Sequence, residues 1–304
     1  MPGSSDQWTV IKLIDWSTNY LKEKGVENAR LSVEHILSAV LDFNRVQLYL
    51  HFDRPLTQEE LALYKPLLLR RANREPLQYI LGFTEFYSLK IFVREGVLIP
   101  RPETELLVEK TLELAKKYQG SVRILDIGTG SGNIPIALIK NNPQLKVSAV
   151  DISPEALLVA RENAKHHEVL EKIEFLQADI DDNSVIDQFE SQFDIIVSNP
   201  PYIANSEKSS LQPEIVDFEP EIALFCEDAL KFYKRISYLT NELLASNGSL
   251  LCEIGAEQGR AVKSIFEEHS IRDVEIIKDL SGRDRFVYGR IDSSVEEQRN
   301  RRLL

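Results

Sequence analysis

A short glycine-rich loop at residues 128–132 constrains the fold of this chain more than any other feature of its sequence. It follows a strand-like apolar stretch, 122–127, and precedes a stretch with helical spacing of apolar side chains that begins at Asn133. Glycine allows positive φ angles and a close approach of the backbone to a ligand, so it is favoured where a strand turns into a helix above a binding site. The loop predicts an α/β domain with a ligand at the carboxyl end of this strand.

Strand and helix patterns alternate after Pro102, which predicts a parallel sheet with helices on both faces. The predicted helices span 103–118, 133–140, 154–166 and 256–268, and the predicted strands span 122–127, 146–150, 173–176, 193–197, 249–253, 274–278 and 286–288. Only a short connection around Gly282 separates the last two strands, so these strands should pair antiparallel. We expect a Rossmann-like α/β sheet with an antiparallel last strand, in a domain that spans residues 101–291.

The N-terminal part of the chain has a different pattern. Apolar residues recur at helical spacing from residue 7 to 72, which predicts a small all-α helical bundle over residues 1–82. Thr57 and Glu60 form a capping-box signature at the start of its last long helix, in which Pro66 should introduce a kink.

Aromatic and β-branched residues follow this bundle and predict a β-hairpin linker over residues 83–100. We place its turn at Glu95-Gly96 and its second strand at 97–99. Residues 292–304 are polar and are predicted to form a frayed tail.

The spacing of the glycine loop distinguishes between ligands. Gly128, Gly130 and Gly132 form a Gly-x-Gly-x-Gly pattern, whereas Asn133 stands where the dinucleotide fingerprint has its last glycine. Asp151 ends the next strand about 20 residues further on, where a carboxylate can accept hydrogen bonds from both hydroxyls of an adenosine ribose. These features indicate a nucleoside cofactor that lacks a pyrophosphate. The alternative is that the glycines only allow a strand and a helix to meet.

A second loop, Asn199-Pro200-Pro201-Tyr202, follows the predicted strand at 193–197. The two prolines stiffen the backbone and supply no N–H donors, so the carbonyl groups of the loop are available as acceptors. Because the carboxyl ends of parallel strands meet at one edge of a sheet, this loop should face the glycine loop across a cleft. The alternative is a Pro-Pro turn that only caps a buried strand.

Such a loop could position a planar nitrogen to receive a methyl group. The delocalised lone pair of such a nitrogen otherwise makes it a poor nucleophile. The side-chain oxygen of Asn199 and the carbonyl oxygen of Pro200 could accept both N–H protons, which would aim the lone pair and stabilise the developing positive charge. Tyr202 would supply a flat wall for the substrate group. The sheet, with an antiparallel strand at its C-terminal end, also resembles the sheet of methyltransferases that use S-adenosylmethionine.

The ordered set of motifs resembles the HemK/PrmC family of peptide chain release factor glutamine methyltransferases, and the similarity covers nearly the whole chain. The matching segments are 74–82, 97–105, 126–132, 194–203, Glu219-Pro220 with Ala223-Leu224, 253–255, and Gly282 with Asp284-Arg285. At two places the sequence departs from the family pattern: Ile180 replaces an aromatic residue, and 225–229 replaces a glycine pair followed by Asp-Gly.

This resemblance implies a class I methyltransferase fold and transfer of a methyl group from S-adenosylmethionine to the side-chain amide nitrogen of a glutamine. The substrate would be the Gly-Gly-Gln motif of class 1 release factors, docked by the helical domain. The implied cofactor-binding residues are Gly128, Thr129, Gly130, Ser131, Gly132, Asp151, Ile180 and Asn199. The implied substrate-binding residues are Asn199, Pro200, Pro201 and Tyr202, of which Asn199, Pro200 and Tyr202 form the catalytic set.

The charge of the chain weighs on the choice of substrate. Asp and Glu number 48 against 36 Lys and Arg, a net charge of −12. The first ninety residues are electrically balanced, so the whole excess lies in the rest of the chain. An amino methyltransferase of adenine or guanine in nucleic acid, the main alternative, would need a basic face. The charge therefore makes a nucleic-acid partner the less favoured interpretation. A non-catalytic binding module that has kept the fold is the second alternative.

The two cysteines, Cys226 and Cys252, form no Cys-x-x-Cys pair and have no nearby histidine at ligand spacing. Neither a disulfide framework nor a metal site is therefore indicated. The sequence contains no secretory signal pattern and no apolar run of the roughly 18 residues that a membrane span requires. We expect a cytoplasmic monomer that does not interact with membranes.

Two groups of charged residues are not expected in the catalytic set. Arg101 and Glu103 lie near the predicted cleft, and a structural ion pair is favoured over a role in orienting the cofactor. Arg70, Arg71 and Arg74 form either a docking patch or a solvated helix end.

Overall fold

The computed structural model describes residues 7–291, and the tail predicted at 292–304 lies outside the described residues. The described chain divides into two compact units. We call the first the helical unit: it holds the residues up to Phe83 together with Gln212–Phe218. The second, the sheet unit, holds the remaining described residues from Thr84 onward.

The elements are numbered in chain order. The α-helices are α1 (Val10–Glu23), α2 (Ala29–Leu41), α3 (Arg45–Leu50), α4 (Gln58–Ala72), α5 (Leu77–Leu81), α6 (Glu105–Ala115), α7 (Asn133–Asn141), α8 (Pro154–His166), α9 (Pro213–Phe218), α10 (Glu221–Leu224), α11 (Lys231–Leu243) and α12 (Gly259–Glu268). The strands are β1 (Phe83–Phe86), β2 (Leu89–Phe92), β3 (Arg123–Ile127), β4 (Lys146–Asp151), β5 (Ile173–Gln177), β6 (Phe193–Ser198), β7 (Ile203–Ala204), β8 (Phe225–Cys226), β9 (Leu244–Glu253), β10 (Ile271–Lys278) and β11 (Asp284–Ile291). None of the described helices is both long enough and apolar enough to cross a membrane.

Helix α4 begins with the predicted capping box. The backbone N–H of Glu60 donates to Thr57 Oγ1 at 3.2 Å, and the backbone N–H of Thr57 donates to Glu60 Oε2 at 2.8 Å. These bonds satisfy two N–H groups that a helix start otherwise leaves unpaired. The helix continues through Pro66 to Ala72, and Tyr64 packs fully buried in the core of the helical unit.

Two arginines of the helical unit bind a carboxylate from a distant part of the sequence. Arg71 Nη2 lies 3.0 Å from Glu214 Oε1, and Arg74 Nη2 lies 2.6 Å from Glu214 Oε2. Glu214 belongs to α9 and is buried. Hydrogen bonds from Arg74 and Arg71 hold the pKa of Glu214 below its usual range although burial opposes them. Arg70 pairs with Glu75, so each arginine considered for docking has an internal partner.

The hairpin forms earlier in the chain than predicted. Its strands are β1 and β2, joined by Tyr87 and Ser88 with φ of 50° and 60°. Two consecutive residues at positive φ make the two-residue turn that matches the twist of paired strands. Glu95-Gly96 does form a turn, in which the backbone N–H of Val97 donates to the carbonyl of Arg94 at 3.2 Å, but this turn joins no pair of the described strands. The predicted strand at 97–99 is wrong, because the continuous aromatic run conceals an earlier turn without glycine.

A seven-stranded sheet forms the centre of the sheet unit, in the order β10-β11-β9-β6-β3-β4-β5. Strands β5, β4, β3, β6 and β9 run parallel, and β11 pairs antiparallel with both β9 and β10. The predicted α/β sheet with an antiparallel last strand is therefore confirmed. Because β3 lies between β4 and β6, the loops that follow these three strands share one edge of the sheet.

Helix α11 was not among the helices predicted from the sequence, although its pattern is helical. Its apolar residues Tyr233, Ile236, Leu239 and Leu243 have helical spacing, and they pack in the core with Leu125 and Ile127 of β3. Two predicted helices are shorter than expected: α6 ends at Ala115, and α12 begins at Gly259.

Candidate active site

A cavity of about 340 Å³ lies at the carboxyl ends of β3, β4 and β6 within the sheet unit. The glycine loop, the end of β4 and the Asn-Pro-Pro segment all contribute to its wall. Of the residues predicted for the site, those that line the cavity are Gly128, Gly130, Asp151, Ile180, Asn199, Pro200 and Pro201. The two predicted loops therefore face one cavity, as the order of the strands requires.

The glycine loop depends on all three glycines for its shape. Gly128, Gly130 and Gly132 have φ of 77°, 55° and 76°, a region that other residues rarely adopt. A Cβ at Gly132 would lie 3.0 Å from Ala160 Cβ, so this glycine also allows α7 and α8 to pack closely. Thr129 and Ser131 are buried, and neither they nor Gly132 is among the residues that line the cavity.

Asp151 connects the glycine loop to the start of α8. Its Oδ2 accepts from the backbone N–H of Gly130 at 2.8 Å, and its Oδ1 accepts from the backbone N–H of Ser153 at 2.9 Å. Burial raises the pKa of Asp151, and these backbone hydrogen bonds oppose the rise. The carboxylate is thus held in place by the backbone while it lines the cavity, where each oxygen has a further lone pair for a ligand hydroxyl.

Asp126 is a residue that we did not single out from the sequence as a site residue. It is fully buried one residue before the cavity-lining Ile127, and no hydrogen bond of normal geometry reaches either carboxylate oxygen from the described residues. Burial raises its pKa to about 7, an effect that the Thr129 hydroxyl opposes and Asp151 reinforces. An unpaired buried carboxylate is costly, so it favours a cation nearby. The available signal was an acidic residue in the strand that leads into the glycine loop, two positions before Gly128.

Asn199 is held by a hydroxyl group from the start of α6. Its Nδ2 donates to Thr104 Oγ1 at 3.1 Å, and Thr104 Oγ1 in turn donates to Glu253 Oε2 at 2.8 Å. No described residue donates a hydrogen bond to the amide oxygen of Asn199. Thr104 and Glu253 are nearly inaccessible, and sequence reasoning gave neither a role at the site.

Tyr202 is placed differently from the other three residues of its loop. It is not among the residues that line the cavity, and its ring packs against the core that α11 and α12 share with the sheet. Its carbonyl oxygen accepts from Gln258 Nε2 at 2.8 Å, and burial raises the pKa of its phenol to about 12. In this structure Tyr202 therefore anchors the end of the loop.

Arg101 pairs with Glu219 and not with the predicted partner Glu103. Arg101 Nη2 lies 2.5 Å from Glu219 Oε1, and the backbone N–H of Ile99 donates to Glu219 Oε2 at 3.1 Å. This pair fixes the backbone just before Pro100. Residues 96–98 of the same segment line the cavity, and so does Pro220, which follows Glu219. The pairing supports a structural role, as favoured from the sequence, with a different carboxylate.

Helix α11 contributes a cationic side chain to the lining of the cavity. Lys231 Nζ lies 2.5 Å from Asp181 Oδ2, and both residues line the cavity together with Phe232. The apolar spacing along α11 was the signal that could have identified this wall. Among the described residues, no group of three or more His, Cys, Asp or Glu side chains is arranged to hold a metal ion.

Comparison with known proteins adds independent information. The model of the PrmC N-terminal domain matches residues 12–82, and the model of the Methyltransferase small domain matches residues 102–218. The release factor glutamine methyltransferase of Geobacter sulfurreducens is 44% identical over 293 residues, which cover 96% of this chain and 100% of that protein. The protein of the same name from Chlorobaculum tepidum is 40% identical over 282 residues, which cover 91% of this chain and 96% of that protein.

Among solved structures, the catalytic domain of hMettl16 in complex with the MAT2A 3′UTR hairpin 1 matches with a TM-score of 0.54 and 18% identity. The match covers 77% of this chain and 81% of that one, and at this identity it shows the fold alone. The curated relatives, by contrast, match along nearly their whole length. The chain belongs to the release factor glutamine methyltransferase family.

Proposed function

We propose that this protein transfers a methyl group from S-adenosylmethionine to the side-chain amide nitrogen of the glutamine in the Gly-Gly-Gln motif of class 1 peptide chain release factors. The observation that carries the proposal is the hydrogen bonding of the Asn199 side-chain amide. Its nitrogen is engaged by Thr104, which leaves its oxygen as an acceptor at the wall of a cavity that Gly128, Gly130 and Asp151 also line.

The residues around the cavity fit S-adenosylmethionine. Asp151 would accept the ribose hydroxyls, and Ile180 would contact the adenine ring. Gly128 and Gly130 line the cavity and carry no side chain, so a ligand can approach their backbone closely. Asp126, buried and unpaired, would be compensated by the positive charges of the cofactor. Thr129, Ser131 and Gly132 would act indirectly, through the shape of the loop.

When bound, S-adenosylmethionine supplies an activated methyl group on a sulfonium, so the chain itself has to position the acceptor nitrogen. Asn199 Oδ1 and the carbonyl oxygen of Pro200 would accept the two N–H bonds of the glutamine amide. This orients the nitrogen lone pair and stabilises the positive charge that develops as the N–C bond forms. The S–CH₃ bond of the donor would break as the N–C bond forms, which leaves S-adenosylhomocysteine. The methylated nitrogen would then release one proton to water, so no base is needed before the transfer. Pro201 and Tyr202 would confine the substrate, with Tyr202 acting through the loop that it anchors.

The proposed substrate also implies a role for the helical unit and a cellular location for the protein. The helical unit, which matches the PrmC N-terminal domain, would dock the release factor. The protein would act as a monomer in the cytoplasm, where release factors work.

The proposal is tested with methyl-labelled S-adenosylmethionine, the full-length chain and a class 1 release factor. Label should enter the release factor and should not enter its variant with Gln→Ala in the Gly-Gly-Gln motif. Equal labelling of both proteins would contradict the proposed target residue. Labelling of RNA or DNA in place of the protein would favour the adenine or guanine methyltransferase alternative, and cofactor binding without transfer to any substrate would favour a binding module.

A further inference from the structure

Two consecutive hydrogen bonds, one buried and one partly buried, end at the Asn199 amide. The Asn199 Nδ2 to Thr104 Oγ1 bond is 3.1 Å long, and the Thr104 Oγ1 to Glu253 Oε2 bond is 2.8 Å long. Thr104 is 2% exposed and Glu253 is 1% exposed. The three residues come from the loop after β6, the turn before α6 and the end of β9. Their meeting is a product of the tertiary fold.

The directions of these two bonds determine which atom Asn199 presents. A threonine hydroxyl has one proton, and an ionised carboxylate can only accept hydrogen bonds. The Thr104 proton is therefore committed to Glu253, and the hydroxyl oxygen is left to accept from the NH₂ group of Asn199. A reversed Asn199 amide would place its oxygen against the Thr104 oxygen with no proton between them.

Both anchors are fixed before any substrate binds. Glu253 lies opposite Phe286 in the antiparallel pairing of β9 with β11. The backbone N–H of Thr104 donates to the carbonyl of Arg101 at 3.1 Å. Side chains on such rigid elements lose little additional freedom when they hold a neighbour in one rotamer.

The surroundings of Glu253 balance burial against positive charge. Burial raises its pKa to about 7, while the Thr104 hydrogen bond and the positive charges of Arg285 and Arg101 oppose the rise and Glu103 adds to it. The phenols of Tyr202 and Tyr233 also interact electrostatically with this carboxylate. The ionised form, which fixes the direction of the Thr104 hydroxyl, therefore predominates above neutral pH.

We propose that Thr104 and Glu253 are positioning residues, which hold the Asn199 amide with its oxygen toward the substrate nitrogen. The inference rests on the proposed function, because it concerns the acceptor geometry of that reaction. It assigns to a buried threonine and a buried glutamate a role in catalysis that acts only through Asn199. The competing explanation is that both residues merely stabilise the packing between α6 and β9.

A double-mutant cycle separates these two explanations. Thr104→Val removes the hydroxyl at nearly constant volume, and Thr104→Ser keeps it. Thr111→Val is the matched control, since Thr111 is also buried, lies on α6 and donates to the carbonyl of Leu107 at 2.7 Å. Each variant of the full-length chain is measured for kcat and KM with a release factor, for affinity for S-adenosylhomocysteine, and for thermal unfolding.

Thr104→Val should lower kcat by about 10- to 100-fold, by analogy with the loss of partners that orient metal-binding side chains. Affinity for S-adenosylhomocysteine should stay within about twofold, Thr104→Ser should restore most of kcat, and Thr111→Val should leave kcat unchanged. In an Asn199→Ala background, Thr104→Val should cause no further loss of kcat. Equal losses of kcat in both backgrounds, or equal kcat for Thr104→Val and Thr111→Val, would overturn the proposal.

Glu253→Gln provides a second test if Thr104→Val does not fold. Glutamine keeps the shape but can donate to Thr104 from its amide, so the direction of the hydroxyl is no longer imposed. The ratio of wild-type to Glu253→Gln kcat should widen as the pH rises from about 6 to 8, since only the wild-type residue ionises. A ratio that is constant with pH would contradict the proposal. Absence of release-factor methylation by the wild-type chain would instead refute the proposed function, so the two failures are distinguishable.

Discussion

The hydroxyl of Ser198 donates a 2.7 Å hydrogen bond to the carbonyl of Ile127, at the point where two neighbouring strands end. Ser198 is fully buried, and both residues line the cavity. Each is followed at once by one of the two loops that form the site. This single bond therefore ties the start of the glycine loop to the start of the Asn-Pro-Pro-Tyr loop.

Replacement of Ser198 by Ala should show whether this hydrogen bond aligns the two loops or only stabilises the fold. Ser237→Ala is the matched control, because Ser237 is also fully buried and donates to a backbone carbonyl, that of Tyr233, at 2.7 Å. Both variants should lose about 1 kcal/mol of unfolding free energy in urea titrations. Only Ser198→Ala should also lower kcat/KM, by about tenfold, since small displacements of reacting groups are costly. Equal kcat/KM in the two variants would show that the bond does not align the loops.

Removal of the Asn199 side chain should affect the chemical step and leave cofactor binding nearly intact. Asn199→Ala deletes one of two proposed acceptors of the substrate N–H bonds, and the loss of one such polar partner costs about 2.7–4 kcal/mol, or 10²- to 10³-fold in kcat. Affinity for S-adenosylhomocysteine, measured by titration calorimetry, should change by less than about threefold. Near-normal turnover would remove Asn199 from the mechanism.

Asp151→Ala should produce the opposite pattern. The substitution removes the carboxylate proposed to bind the ribose and frees the backbone N–H groups of Gly130 and Ser153, which it now engages. Affinity for S-adenosylhomocysteine should fall at least tenfold, because hydrogen bonds to a charged group contribute about 1.5–3 kcal/mol. The exposed Asp187 offers a control, and Asp187→Ala should leave affinity unchanged. Unchanged affinity in Asp151→Ala would place the ribose elsewhere.

Asp126 should make the stability of the cofactor-free chain depend on pH. Its pKa is about 7 in the folded chain and 3.8 as an ordinary aspartate, so between these values the folded chain binds more protons than the unfolded chain. The free energy of unfolding should therefore fall as the pH rises toward 7 and level off above it. Relative to Asp126→Asn, the wild-type chain should lose about 2 kcal/mol between pH 5.5 and 8 in urea titrations. Glu253 is present in both proteins, so its titration cancels in the comparison. If the free energy of unfolding changed with pH in the same way in both proteins, the raised pKa of Asp126 would be contradicted.

Gly132→Ala should lower the free energy of unfolding more than Gly120→Ala. Gly132 and Gly120 have φ of 76° and 88°, but a Cβ at Gly120 would meet nothing within 4 Å, whereas one at Gly132 would lie 3.0 Å from Ala160 Cβ. Gly120→Ala should lose about 1–2 kcal/mol of unfolding free energy from backbone strain alone. Gly132→Ala should lose about 1–3 kcal/mol more from overpacking, and equal losses would show that α7 and α8 can separate freely.

Much of this architecture could be predicted from the sequence, because its signals are local. The glycine loop, Asp151 and the Asn-Pro-Pro-Tyr loop are each a short pattern next to a strand, and the order of parallel strands brings them to one edge of a sheet. The antiparallel pairing of β10 with β11 followed from the shortness of their connection. These signals needed no knowledge of tertiary contacts.

The interactions that hold the site in place could not be predicted, because they join distant residues. Thr104 and Glu253 are 149 positions apart, and Arg101 and Glu219 are 118 apart. In the sequence, a threonine beside charged residues at the start of a helix looks the same whether or not it has a role at a site. The Tyr87-Ser88 turn was missed for a different reason, since neither residue is one that usually adopts positive φ.

Residues Gln212–Phe218 belong to the helical unit although they lie far from the rest of it in the sequence. This limits how the unit can be exchanged between related genes. A chimaera that exchanges residues up to Phe83 with those of a relative would leave Glu214 behind while replacing Arg71 and Arg74, its two ionic partners. A buried carboxylate would then depend on whatever the donor sequence supplies. An exchange of the helical unit therefore has to include both stretches of the gene, or the donor sequence has to supply new partners for Glu214.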